Sequence, residues 1–512
     1  MTTLRTNTTA ASRVAPGARR AMLVWITGAG LATLLALVSV LDPVLGISGA
    51  LVVGLAVGFT RSTTFGICAF IACTYLEVIT EYSGSTALSP IKVCGGALIV
   101  LALMDLVSRT KIGTRAPAPT WSNHPVIVAA MIGFVALGVA SLSWAADAEH
   151  VKTNVERLVN ELLVFLAIGT FLLRRSQFRA IAFTVLGVGV FSTLAGVLLG
   201  AQEYGRAIGT FTDPNEYAAA MVASIGLGFG AFGAARSPWT RRACIVGIGI
   251  CGWGILVSQS RGGLLALAAA GIYIVLSSRG RERVRMMGTS FVLVAAAVSM
   301  LMLTPAGQQS LERITNGDSS GRSDLWRIAI LEFESEPVHG VGLGNYPVVA
   351  ARFVTADTEH TELINNRVPR VAHNAYLEIT AELGLLGILA FSVLAGGSVL
   401  LGIRGVGMAR RLGDDGAVAL GRGVVAATVG VLASNVFLSN HYNELLWALL
   451  AVSVSYHEYA RRQLRMAAAI ETAQQIVENL PIDEVDADVS EALAMAALDD
   501  LDTLPGLVQP RR

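Results

Sequence analysis

Apolar runs of near-spanning length alternate with short polar turns along most of this chain. A bilayer core takes about 20 apolar residues per helix. Laid on the sequence, that length predicts spans near residues 22–40, 44–59, 64–80, 88–106, 126–144, 155–173, 180–200, 217–234, 243–257, 262–276, 286–303, 375–401, 424–438 and 445–459. Several runs are short, so the expected fold class is an all-α polytopic transmembrane helical bundle of about 12–14 spans. Two polar stretches break the pattern and set the domain organisation. It runs as a basic tail (1–21), an N-terminal bundle (22–303), a long extracytoplasmic loop with an amphipathic helix (304–372), C-terminal transmembrane helices (373–460) and an acidic tail (461–512).

Within the long loop, Leu325, Ile328 and Leu331 recur at helical spacing and predict a helix over 325–334 with an apolar face, capped by Ser323 or Asp324. The chain then meets Pro337 and the Gly342-Leu343-Gly344 turn, which follows a helix and not a strand, so a dinucleotide fingerprint is excluded. A backbone turn returning the loop to the membrane is expected there. Gly384 and Gly387 are expected to be close helix-packing positions.

Composition agrees with the pattern. The chain is 53% hydrophobic and 15% charged, too apolar for an ordinary soluble enzyme. Its net charge of +1 hides a segregation that matters more than the total. With the N-terminus inside, every second loop is basic: Arg61; Arg109, Lys111 and Arg115; Arg174, Arg175 and Arg179; Arg236, Arg241 and Arg242; Arg279 to Arg285; Arg404, Arg410 and Arg411; then Arg461, Arg462 and Arg465. Positive loops mark the cytoplasmic side, so an even number of spans with both termini cytoplasmic is expected. The basic residues left outside are few: Lys152, Arg206 and Arg261 in short loops, and Arg313, Arg322, Arg327, Arg352, Arg367 and Arg370 in the long one. The acidic tail reads as a short helix and a solvated segment. The five cysteines sit in apolar runs without ligand spacing, and the histidines other than His373 also lack it, so no metal is expected.

Four residues stand out as candidate chemistry. Arg261 lies between two apolar runs with almost no loop; an Arg held there costs about 3 kcal/mol unless it snorkels or pairs, and Gly262 and Gly263 leave room for an anionic ligand. Arg322 stands at the predicted helix start, the positive end of the helix dipole, where an anionic partner would relieve it. Arg206 precedes a DPNEY turn in which Asp213 or Asn215 caps a helix, and a helix start offers N–H groups to an anion. His373 sits where the long loop re-enters the bilayer, and an imidazole suits proton transfer near neutral pH. Glu378 and Glu382 share a helix face but are not obvious orienters of that imidazole.

The segments GTFTDPNEYAA, SQSRGGLLAL, GRSDLWRIAI, EPVHGVGLGNY and HNAYLEITAELGLLG, in this order and with the long loop ahead of the His, resemble the O-antigen ligase and polymerase superfamily of bacterial membrane glycosyltransferases. The resemblance covers roughly residues 206–387 and implies a GT-C-like fold in the cytoplasmic membrane. It implies transfer of a glycan from a polyprenyl diphosphate carrier to a glycan or lipid-glycan acceptor at the outer face, with no metal, cofactor or nucleic acid. By this resemblance Arg261, Arg322 and more weakly Arg206 bind the diphosphate, and His373 acts on the acceptor hydroxyl as general base or positioner. A repeat-unit polymerase shares the same donor and site. From other classes, a small-solute or anion transporter and an inactive scaffold stay open; a transporter should show inverted repeats and midplane polar groups, of which only Glu161 is a candidate.

Overall fold

The computed structural model describes residues 58–59, 61–76, 89–112, 118–203, 205–285, 287–288, 321–355 and 371–479. Residues 1–62 and 63–512 form two compact units. The first span, almost all of the second and eleventh, Arg313, Arg367 and Arg370, and the acidic end of the tail lie outside the described residues.

The described helices of the second unit are α1 (Thr63–Cys73), α2 (Pro90–Ile112), α3 (Pro125–Ala140), α4 (Ala148–Phe171), α5 (Arg175–Leu198), α6 (Pro214–Ala234), α7 (Pro238–Val257), α8 (Arg261–Ser277), α9 (Arg322–Ser335), the one-turn α10 (Tyr346–Val349), α11 (Ala375–Arg411), α12 (Asp415–Ser434) and α13 (Glu444–Asn479). Seven of them are long and apolar enough to cross a membrane, which makes the protein an all-α polytopic membrane protein. One two-stranded hairpin, β1 (Gln202–Glu203) with β2 (Arg206–Ala207), departs from pure helix.

The helix starts follow their local sequence. Asp213 caps α6 by accepting from the backbone N–H groups of Asn215 (2.7 Å) and Glu216 (3.0 Å), with Pro214 in the first turn. A Pro there costs nothing because its missing N–H is one of the helix's unpaired donors. Ser237, Ser260, Asp147 and Asn374 cap α7, α8, α4 and α11 in the same manner. Helix α9 differs from expectation: it begins at Arg322, and its cap is Gly321, held at φ 71° without a side-chain cap bond. Ser323 and Asp324 therefore belong to its first turn.

Helix α6 is the most enclosed span, with α12 lying along it at backbone contact; a Cβ on Gly226 would come within 2.7 Å of the Ala427 nitrogen. Small residues at such crossings let helix backbones touch in lipid. Helix α13 runs unbroken through Asn479, joining the expected last span to the expected tail helix. No Gly or Pro lies between Tyr459 and Asn479 to separate them.

Helix α11 is interrupted at Gly384 (φ 62°, ψ −158°). The 337–342 turn docks on the break: Val341 N donates to Ala381 O (3.0 Å), Gly342 N to Glu382 O (2.8 Å) and Leu385 N to Pro337 O (2.9 Å). A Cβ on Gly384 would fall 2.4 Å from the Val338 carbonyl carbon. The close packing expected of Gly384 is real, but its partner is the loop turn and the cost is a broken helix. Helix α9 packs over the same region through Ile328 and Ala329, against Tyr346, Ala350, Ala372 and Ala381.

Candidate active site

Arg206, on β2, donates from Nε to Ser258 O (2.9 Å) and from Nη2 to Asn215 Oδ1 (2.9 Å). The same Asn215 oxygen accepts from Ser260 Oγ (2.9 Å), the residue that caps α8. One amide thus ties the hairpin, the start of α6 and the turn that presents Arg261. Because Asp213 already takes the N–H groups of Asn215 and Glu216, those donors of the α6 N-terminus are not offered to a ligand as the sequence suggested.

Arg261 is exposed at the first position of α8. Arg322 is half-buried at the first position of α9, close enough to Asp213 and Arg261 for both charges to act on it. Burial holds the Arg322 guanidinium below its ordinary pKa, Asp213 pulls it back up, and Arg261 pushes it down again. Asp213 is the carboxylate whose charge acts on Arg322 against that of Arg261. Glu203, on the hairpin, is raised by burial and by repulsion from Asp213, with Arg206 opposing the shift.

His373 occupies the adjoining segment. Its φ is 50°, and Gln259, two residues before Arg261, is the other non-glycine with positive φ among the described residues. Such a conformation costs about 1–3 kcal/mol and persists where the surroundings enforce it. Here they do so from both sides. Ala372 N donates to Glu378 Oε2 (2.9 Å), which also accepts from Ser439 Oγ, while Asn374 Oδ1 caps α11 by accepting from Tyr376 N and Leu377 N (both 3.1 Å). Ala375 N donates to Asn435 O (2.9 Å) and Leu438 O (2.8 Å). Between those two acceptors lies Phe437, which packs against Gly262 beside Arg261 and faces Trp326 of α9 at 6.3 Å between ring centroids. The segment carrying His373 and the helix starts carrying Arg261 and Arg322 therefore meet on Phe437.

The sequence reading placed Glu378 and Glu382 on one helix face without a role and missed Glu332; the structure shows what each does. Glu378 grips the backbone ahead of His373 and so orients that residue's main chain. Glu382 accepts from Tyr346 N (3.3 Å) and Tyr442 Oη (3.2 Å), pinning the loop turn to α11. Glu332 of α9 is fully buried, and neither carboxyl oxygen has a hydrogen-bond partner. Burial, then repulsion from Glu382 and Glu378, pushes its pKa up from 4.5 to about 10, so it is a neutral acid at pH 7. Its burial had a signal: Glu332 is four residues beyond Ile328 on the apolar stripe of α9.

Arg261, Arg322 and His373 all fall within residues 246–392, and that stretch matches the O-antigen ligase family. Over those residues the chain is similar to O-antigen ligases. Comparison with curated proteins returns no match. The matched stretch opens inside α7, takes in α8, α9 and the Gly340–Gly344 turn, and closes in α11 beyond the Gly384 break. Arg206 and Asn215 lie ahead of the matched residues yet hold the turn that presents Arg261 within it.

Proposed function

We propose that this protein is a membrane glycosyltransferase that moves a glycan from a polyprenyl (undecaprenyl) diphosphate carrier to an acceptor hydroxyl at the outer face of the cytoplasmic membrane. The observation that carries the reading is the gathering of Arg206, Arg261 and Arg322 around Asp213 and Asn215, beside the strained and doubly anchored His373. The matched O-antigen ligase family supports the same class of reaction.

In this reading the guanidiniums of Arg261 and Arg322 bind the diphosphate, with Arg206 alongside. Charge-assisted bonds from guanidinium to phosphate strengthen as the bond to the sugar breaks and negative charge grows on the leaving group. His373 accepts the proton of the acceptor hydroxyl, or positions it, as that oxygen attacks the anomeric carbon. Exposed apolar faces of the spans offer the polyprenyl chain a lipid-like path. The other end of the bundle supports the orientation. Arg175 pairs with Asp414 there (2.8 Å), and Arg410 and Arg422 bond to the Ile274–Ser278 segment at the end of α8. By the positive-inside rule that end faces the cytoplasm and the candidate site faces out.

A glycan profile of a deletion strain complemented with wild type or His373→Ala tests the proposal. Loss of attachment with long free polymer identifies a ligase; accumulation of single repeat units identifies a polymerase. Normal profiles from the variant contradict both.

A further inference from the structure

At the end of the bundle away from the candidate active site, two imidazoles and a carboxylate converge. His124 precedes α3, and His457 and Glu458 lie on α13. The far end of α3 leads to Ser141 and Trp144, which bond to Leu343 N and Gly340 O of the loop turn. Helix α13 likewise starts beside His441 and Tyr442, and at 1.5 Å per residue it carries His457 about 20 Å from that start.

His124, His457 and Glu458 are 8%, 6% and 2% exposed, and one ligand atom from each lies within 4.8 Å of the other two. His124 Nε2 stands 3.8 Å from Glu458 Oε2, and the imidazole centroids are 5.1 Å apart. His124 Nε2 and His457 Nδ1 are buried without a hydrogen-bond partner, and the buried Glu458 Oε2 is ion-paired with Arg461. Buried polar atoms are ordinarily paired, so two imidazoles that each keep an unpartnered nitrogen, clustered with a carboxylate, call for a shared partner. His124 does not use its side chain to cap α3.

The carboxylate is held in place by its other oxygen, which accepts from Asn123 Nδ2 (3.1 Å) and Arg462 Nε (2.9 Å). Arg461 Nη2 lies 2.8 Å from Oε2 and competes for it, and Arg404 also acts on His457. Arg461 is 24% exposed and its Nε has no partner, so its head group has a route to water when a cation takes its place.

We propose that His124, His457 and Glu458 form a binding site for one zinc-class divalent cation that staples the start of α3 to α13. Two imidazoles and one carboxylate suit zinc and its d-block neighbours over magnesium or calcium, and three protein ligands leave a fourth position for water. Bonds of about 2.0–2.2 Å require the ligand atoms to close to roughly 3.4 Å of one another, a side-chain adjustment. The ligands come from opposite ends of the chain, which is why sequence spacing pointed to no metal.

The full-length protein, purified in detergent and stripped with a chelator, is titrated with Zn²⁺ against a chromophoric competitor. The site predicts one Zn²⁺ per chain, with affinity falling at least about tenfold in His124→Ala and in His457→Ala. X-ray absorption of the wild-type protein carrying one equivalent should show two imidazole nitrogens and a carboxylate oxygen at about 2.0–2.2 Å; this measurement needs no variant and decides the matter if a variant misfolds. Absence of stoichiometric binding, equal affinity in folded variants, or a spectrum with fewer than two imidazoles overturns the site.

Discussion

Asn215 and Glu332 show how much of the candidate site depends on residues that touch no substrate. Asn215 is the shared acceptor for Arg206 and Ser260, so removing its amide takes one bond from the Arg206 guanidinium and slackens the cap that presents Arg261. Asn215→Ala is expected to raise KM for the diphosphate-linked donor about tenfold, the equivalent of about 1.4 kcal/mol, while the protein stays folded. Steady-state kinetics at varied donor concentration check it, and an unchanged KM removes Asn215 from the account. Glu332 makes a prediction about pH. Its pKa is raised in the folded state, from 4.5 to about 10. The folded protein therefore holds a proton that the unfolded chain has lost, and unfolding releases it. The contribution is fully present below about pH 4.5 and drains away as pH rises towards 10, with a slope of up to about 1.4 kcal/mol per unit. Wild-type thermal midpoints should fall between pH 6 and 9, and the fall should shrink in Glu332→Gln, which keeps the shape and removes the titration. Equal slopes in the two proteins would contradict a buried neutral acid.

At the scale of elements, the Gly384 break is what lets the loop turn lie against α11. Gly384→Ala puts a Cβ 2.4 Å from the Val338 carbonyl carbon at a φ and ψ that only glycine adopts readily. The variant is expected to lose about 2 kcal/mol or more of stability, read as a lower thermal midpoint, together with glycosyl transfer, because the turn and the His373 segment are tied to the same helix. A variant with wild-type stability would mean the turn does not dock there. The seven spans found among the described residues, the Asp213 cap and the place of Arg322 at a helix start were legible in the sequence, since each is written in a local pattern of apolar runs or cap residues. The Gly384 break was not, because nothing local distinguishes a glycine that breaks a span from one that only packs in it. Glu332 was half legible: its spacing marked it as core and its charge concealed that. The Gly321 cap escaped because a left-handed glycine leaves no hydrogen-bonding side chain to recognise, whereas Ser323 and Asp324 looked like better candidates. The meeting of His124 with His457 is tertiary and has no sequence signal at all.

For the whole molecule, polarity is divided between the two ends of the bundle. One end carries Arg175, Arg410, Arg422, Arg461 and Arg462 in ion pairs and backbone contacts. The other carries the three guanidiniums with Asp213, the strained His373 and the buried Glu332, Glu378 and Glu382. Apolar helices between them separate arginines held in ion pairs and backbone contacts from the three proposed to bind the diphosphate. That division is what makes an outward-facing glycosyl transfer the central claim. It is tested most directly with the purified full-length protein in proteoliposomes containing a polyprenyl-diphosphate-linked glycan and an acceptor, by measuring release of free polyprenyl diphosphate together with glycosylated acceptor. Wild type is predicted to release both in equal amounts, and His373→Ala to do so about 10²-fold more slowly or worse. Release by His373→Ala at the wild-type rate, or no acceptor-dependent release by wild type, would contradict the account.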